Sequence, residues 1–205
     1  MNAPLNPTPT QAWETMLEGN ARFVADTPLH PNQDAARRAS QTTGQAPFAT
    51  VFGCADSRVA AEMIFDRGLG DLFVTRTAGQ VMDSAVLGSL EFGAHALDVP
   101  LLVVLGHDSC GAVKAGLEAH STGELPPGHL SDIVQKVTPS VLSAHRDGID
   151  DERGVMERHV AATVELLPER SRILAERVED GRLAIVGAAY DLADGSVRVV
   201  AQQGL

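Results

Sequence analysis

A chain of 205 residues, 44% of them hydrophobic, is long enough for one domain with a packed core. Its formal net charge of −11 argues against nucleic acid or an anionic membrane surface as partner, and no apolar run approaches the length of a membrane span. Cys54 and Cys110 are the whole cysteine inventory. The polar, proline-rich residues 1–10 carry no secretory signal and are expected to be loose, so the two cysteines read as reduced thiols of a cytoplasmic protein rather than as a disulfide.

The first pattern along the chain is helical. Over residues 10–25, Trp13, Met16, Leu17, Phe23 and Val24 form an apolar stripe, with Thr10 the expected N-cap. Residues 30–43 are polar and read as a surface helix that follows a loop at Pro28 and Pro31. Together, residues 1–43 make an N-terminal helical arm with more apolar stripe than a short helix pair can hide. Two placements are open for it: the chain's own sheet, or a partner subunit.

An α/β core occupies residues 44–205. Residues 48–53 form a short apolar strand ending at Gly53 and Cys54; a helical piece at 60–65, a strand at 71–75 and a loop at 76–79 follow. Residues 84–97, dense in Ala and Gly, predict a closely packed helix. The uninterrupted run from Leu101 to Leu105 predicts a strand buried on both faces. It ends at Gly106, and a helix starts at Cys110. After a loop at 121–128, helices are predicted at 131–144 and 155–177, with Pro168 kinking or dividing the second. A strand at 182–190, a turn at Ala193-Asp194-Gly195 and a last strand at 196–201 close the chain. The fold expected is α/β, a mainly parallel central sheet of about four parallel strands plus an antiparallel edge strand, flanked by helices.

Chemistry gathers at two strand ends, where open α/β sheets place their sites. If the strands carrying Cys54 and His107 are adjacent and parallel, Cys54, His107 and Cys110 meet at one sheet edge. Thiolate and imidazole donors suit zinc, and three protein ligands leave the fourth tetrahedral position open, as in catalytic sites. A helix starting at Cys110 favours its thiolate. Asp56 follows Cys54 by two residues and reaches that fourth position; Arg58 can hold the carboxylate through a bidentate pair. Taken singly, either cysteine is a buried core thiol, His107 a structural histidine, and Asp56–Arg58 a loop salt bridge. Only the joint pattern points to a metal. His30, His95, His120, His129, His145 and His159 read as solvated or helix-surface residues, and Tyr190 as core.

The stretches Cys54-Ala55-Asp56-Ser57-Arg58 and Gly106-His107-Asp108-Ser109-Cys110-Gly111, in this order and separation, resemble the β-class carbonic anhydrases. The likeness extends from Glu18-Gly19-Asn20-Ala21-Arg22-Phe23 to the final hairpin and is strongest to actinobacterial, including mycobacterial, members. It implies reversible hydration of carbon dioxide to bicarbonate and a proton by zinc-bound hydroxide, with one Zn2+ per subunit on Cys54, His107 and Cys110. It further implies Asp56 and Arg58 as the dyad organising the fourth position, with Asp56 as a fourth ligand in a resting form. Gln45 matches a glutamine that hydrogen-bonds substrate, often across a dimer interface, and Gly111 offers backbone to a small anion. Val74 and Val81 are assigned to an apolar wall beside the metal. A homodimer or dimer of dimers is implied, with the arm packed on a partner subunit.

Two departures stand out. Thr77 replaces an asparagine common among relatives. Val51 replaces the tryptophan that one regulated subgroup uses, with counterparts of Arg76 and Tyr190, to hold inhibitory bicarbonate, so no such pocket is expected. Alternative functions are hydrolysis of carbon disulfide or carbonyl sulfide on the same zinc site, and non-catalytic zinc or bicarbonate binding. A redox role for the thiols lacks the Cys-x-x-Cys spacing.

Overall fold

The computed structural model describes residues 7–205. Helix α1 (Pro9–Val24) starts one turn-defining step earlier than the stripe suggests. Its cap is Thr8, not Thr10. The Thr8 hydroxyl accepts from the Gln11 amide at 3.2 Å and the Gln11 side chain accepts from the Thr8 amide at 3.0 Å. Pro9 at the first helical position has its φ already set for the helix, which leaves Thr8 as the natural cap. The looseness expected of residues 1–10 therefore fails at Thr8 and Pro9; residues 1–6 lie outside the described residues.

The central sheet runs β2-β1-β3-β4-β5. Strands β1 (Ala49–Cys54), β2 (Leu72–Thr77), β3 (Leu101–His107) and β4 (Ala184–Tyr190) are parallel, and β5 (Val197–Gln203) is an antiparallel edge. Every residue of β1, β3 and β4 is buried. That is why the sequence shows runs rather than alternation there: both faces are covered, so both parities must be apolar.

Alternate residues feed two cores. Ala49, Val51, Leu101, Val103, Leu105 and Val186 face one side, where Ala12, Trp13 and Met16 of α1 meet Ile64 and Phe65 at α3 (Ala61–Ile64). Trp13 and Met16 of the arm's stripe are thus buried on the chain's own sheet, whereas Leu17 and Val24 stay exposed and no residue of α2 (Ala35–Ser40) is buried. Phe52, Cys54, Leu102, Val104 and Ile185 face the other side, under α4 (Ser84–Glu91), α5 (Gly111–Thr122), α6 (Leu130–Arg146), α7 (Glu152–Arg170) and α8 (Arg172–Glu179).

The segment predicted as one helix over 84–97 changes winding after Glu91 into a π-helical turn, Phe92–Ala96. A Cβ on Gly93 would come within 2.6 Å of Thr50 Oγ1, so this turn lies hard against β1. The predicted helix at 155–177 is divided, but at Ser171 rather than at Pro168. Pro168 cannot donate to the Val164 carbonyl four residues back, and the Gln203 side chain donates to it instead at 3.2 Å. With that carbonyl satisfied, α7 continues through the proline, and Ser171 then caps α8 by accepting from the Leu174 amide at 3.2 Å.

Helix α7 approaches the sheet closely at two glycines. A Cβ on Gly106 would sit 2.4 Å from Val160 Cγ2, and one on Gly187 2.8 Å from both Val160 and Val164. The glycine that ends the apolar run of β3 is therefore a packing requirement of α7. Among the described residues no helix is long and apolar enough to cross a membrane.

Candidate metal centre

Gly53 of β1 lies in parallel register with Leu105 of β3, so Cys54 and His107 emerge at the same sheet edge. After His107 the chain turns sharply, with Ser109 in the left-handed region at φ 53°, and returns Cys110 as the N-cap of α5. The donor atoms of Cys54, His107 and Cys110 lie within 4.8 Å of one another, and all three residues are buried. These are the three residues that the sequence singled out, and the fold brings them together.

The histidine is oriented as a ligand would be. His107 Nδ1 is 2.7 Å from the Asp108 carbonyl, which can only accept, so Nδ1 carries the proton and Nε2 presents a lone pair. That Nε2 is buried and has no hydrogen-bond partner among the described residues. An unmet buried nitrogen costs on the order of 1–3 kcal/mol unless something else satisfies it. Two thiols and a bare imidazole nitrogen converging in this way fit a zinc ion.

The two thiols shift in opposite directions. Cys54 is lowered to about 4, first by the Cys110 S–H that donates to it and then, against burial, by the Asp56 and Gly79 amides. Cys110 is pushed upward by the Cys54 sulfur and by burial, against the pull of the Val113 and Ala112 amides at the start of α5. A cation between them removes the reason for Cys110 to keep its proton.

Asp56 is turned onto Arg58. Its Oδ1 accepts from the Arg58 amide and Nε, both at 2.9 Å, and Oδ2 accepts from Nη2 at 2.7 Å. Arg58 holds the carboxyl well below the usual carboxylate range, against partial burial. Oδ2 also lies 4.0 Å from His107 Nε2, beside the donor cluster. Arg58 reaches the Ser109 carbonyl at 3.2 Å, tying the two ligand loops together.

Other residues fix the backbone of these loops. Arg76 donates to the Cys54 carbonyl at 2.9 Å and to the Asp56 carbonyl at 2.5 Å. Strands β1 and β3 stand between Arg76 on β2 and Tyr190 on β4, and Val51 is buried. Thr77 donates to the Val81 carbonyl at 2.8 Å, so the hydroxyl at this departure closes the turn by itself. Gly79, at φ 64°, donates its amide to Cys54 Sγ at 3.3 Å. Val81 packs in the same cluster as Cys54 and Cys110. Val74 packs on the opposite face and is not part of that wall, because its strand parity matches Val51 and not Phe52.

Gln45 and Gly111 were expected at the site. Gly111 opens α5, and a Cβ there would meet nothing within 4 Å among the described residues. Gln45 precedes β1 and is exposed in a groove with Gln41, Asp71 and Arg177. The length of β1, about 20 Å at strand rise, separates it from its own chain's Cys54.

His159 was read as a solvated residue and is instead buried. Its Nε2 meets the Gly79 carbonyl at 3.0 Å and its Nδ1 the Ser140 hydroxyl at 2.9 Å. Burial pushes its pKa down against the Gly79 hydrogen bond, so it is neutral. The signal was present: Met156, Val160, Thr163 and Leu167 place His159 on the buried stripe of α7.

A family model described as carbonic anhydrase matches residues 49–197. Carbonic anhydrase 2 of Mycobacterium tuberculosis is 56% identical over 190 residues, covering 93% of this chain and 92% of that protein. A carbonic anhydrase of Mycolicibacterium smegmatis is 54% identical over 199 residues, covering 97% of each. Among solved structures, the Coccomyxa β-carbonic anhydrase in complex with acetazolamide superposes with a TM-score of 0.70 at 26% identity, covering 90% of this chain and 84% of that one. One of two tetrameric β-carbonic anhydrases from Sordaria macrospora gives 0.72 at 21% identity, covering 82% and 92%, a likeness of fold. With Cys54, His107 and Cys110 already gathered at one sheet edge, these likenesses place the chain in the β class of carbonic anhydrases, close to mycobacterial members.

Proposed function

We propose that the chain hydrates carbon dioxide reversibly to bicarbonate and a proton, using one Zn2+ per subunit held by Cys54, His107 and Cys110. The observation that carries this is the buried His107 Nε2, without a hydrogen-bond partner among the described residues and beside two thiols. Zinc, when bound, supplies a Lewis acid that brings the ionisation of water toward neutral pH. The residues of the chain supply the rest. Cys54 and Cys110 bind as thiolates and His107 through Nε2, leaving a fourth position beside Asp56.

Asp56 would accept the hydrogen of a water placed there and so aim its lone pair at the carbon of the substrate. It does so in one orientation because Arg58 grips both its oxygens. Val81 and Met82, buried beside the two cysteines, give an apolar wall suited to an uncharged linear molecule. Gly111 leaves open space at the start of α5, where backbone amides and the helix dipole favour the bicarbonate anion. Gln45 serves a neighbouring subunit's site, which accounts for its distance from Cys54 within one chain. A homodimer or dimer of dimers is the working unit, acting in the cytoplasm on a small substrate, with residues 1–205 as one domain.

Stopped-flow hydration of carbon dioxide with zinc analysis on wild type and Cys54→Ser tests this. Wild type is expected to carry one zinc per chain and to be active, and Cys54→Ser to lose both. Activity in zinc-free protein overturns the reading, and turnover of carbonyl sulfide in place of carbon dioxide moves the reaction to the hydrolase alternative.

A further inference from the structure

Behind the metal centre lies a buried histidine, His159, that the reaction does not touch. Gly79 is held from two sides. Its amide donates to Cys54 Sγ at 3.3 Å, and its carbonyl accepts from His159 Nε2 at 3.0 Å. His159 in turn accepts from the Ser140 hydroxyl at Nδ1, 2.9 Å away. A carbonyl can only accept, so Nε2 must carry the proton, and the Ser140 hydroxyl fixes that tautomer by donating to Nδ1.

The turn around Gly79 has no slack to orient itself. Gly79 sits at φ 64°, and a Cβ on it would meet Ala112 Cβ at 2.5 Å, so α5 presses on it directly. Lys136 donates to the Met82 carbonyl at 3.0 Å and Thr77 to the Val81 carbonyl at 2.8 Å. Three carbonyls of this short turn are therefore pinned by side chains from β2, α6 and α7. Only the one at Gly79 belongs to the residue whose amide meets a donor sulfur.

We propose that His159 is a positioning residue for the metal thiolate: held by Ser140, it fixes Gly79 so that the Gly79 N–H stays on Cys54 Sγ. An N–H···S bond withdraws charge from a thiolate and fixes the sulfur's direction, so His159 tunes both the affinity and the electronic character of the metal centre without touching it. The inference rests on Cys54 being a zinc ligand.

The test uses the full chain, with zinc affinity from competition against a chromophoric chelator and the sulfur-to-metal charge-transfer band of the cobalt(II)-substituted protein. His159→Leu is expected to bind zinc about 10- to 100-fold more weakly, the range for loss of an outer partner of a metal ligand. Its charge-transfer band moves to lower energy, because the thiolate freed of its N–H donates more charge. His159→Gln, which can still present an N–H to the Gly79 carbonyl, recovers most of both. Ser140→Ala shifts both in the same direction by less, and carries the test if His159→Leu does not fold.

A purely structural role lowers the melting temperature of these variants while leaving affinity and band at wild-type values, and that result overturns the proposal. So does a His159→Gln variant as impaired as His159→Leu. Wild type that takes up no zinc, or a cobalt band that survives in Cys54→Ser, instead overturns the assignment of the metal site itself.

Discussion

Both oxygens of Asp56 are engaged by Arg58, and the remaining lone pairs face the donor cluster. Asp56→Asn keeps the shape but replaces an acceptor by a group that also donates. The expected result is a fall in kcat of about 100-fold with zinc content unchanged, checked by stopped flow and metal analysis. Arg58 is the first cause of the low Asp56 pKa. In Arg58→Ala that pKa returns toward about 3.9, so acid loss of activity begins at higher pH than in wild type. The sign follows because the ionised carboxylate is the working form, and removing its cation makes protonation easier. Gly79→Ala puts a Cβ at a left-handed φ and onto Ala112. It is expected to cost about 1–3 kcal/mol in stability, with weaker zinc retention, read by denaturant melts and chelator competition.

At the scale of elements, α1 is fastened by three residues of the Gly19-Asn20-Ala21-Arg22 stretch: Gly19, Asn20 and Arg22. A Cβ on Gly19 would fall 1.8 Å from the Phe65 carbonyl oxygen, so glycine lets the helix lie on the end of α3. Asn20 donates to the Ile64 and Gly195 carbonyls at 3.2 and 2.8 Å and accepts from the Val197 amide at 3.0 Å, joining α3 to the β4–β5 hairpin. Arg22 donates to Asp66 at 2.6 Å, and Asp66 also accepts from the Leu29 and His30 amides. Asn20→Ala leaves three buried backbone groups unpaired and is expected to cost about 3 kcal/mol in urea unfolding. For Asp66, burial raises the pKa, but the two amides and Arg22 outweigh it, so folding lowers it. Its contribution is therefore fully present above the unfolded value of about 3.9 and is lost as pH falls through the folded one. Asp66→Asn should be less stable than wild type at neutral pH and show a shallower loss of stability in acid.

For the whole molecule, the position of Gln45 gives the sharpest prediction. It lies at the opposite end of β1 from Cys54, so a role at the metal requires a second subunit. Cys54→Ser and Gln45→Ala, each impaired alone, should complement when dissociated and reassembled together. In a statistically mixed two-fold dimer, about a quarter of the sites combine an intact Cys54 with an intact partner Gln45. Recovery of roughly that share of wild-type activity, against none for the separately treated variants, is the expected result. No recovery would confine Gln45 to its own subunit.

The strand ends that carry Cys54, His107 and Cys110 were legible because β1 and β3 are buried on both faces and announce themselves as unbroken apolar runs. The parallel sheet followed from helices between those runs, and the antiparallel edge from the turn at Gly195. What the sequence did not reveal depended on which groups meet across the fold. Thr8 takes the cap because Gln11 answers it; the break after Pro168 moves to Ser171 because Gln203, from another strand, satisfies the Val164 carbonyl. His159 sits on the apolar stripe of α7, but its partner at Gly79 is set only once α7 is pressed onto Gly106 and Gly187. Local pattern and residue chemistry thus determined the elements and the donor set, since both depend on neighbours in the chain. Only the tertiary structure decided how the donors are aimed and braced, because hydrogen bonds such as His159 to Gly79 span 80 residues and exist only once the helices have packed.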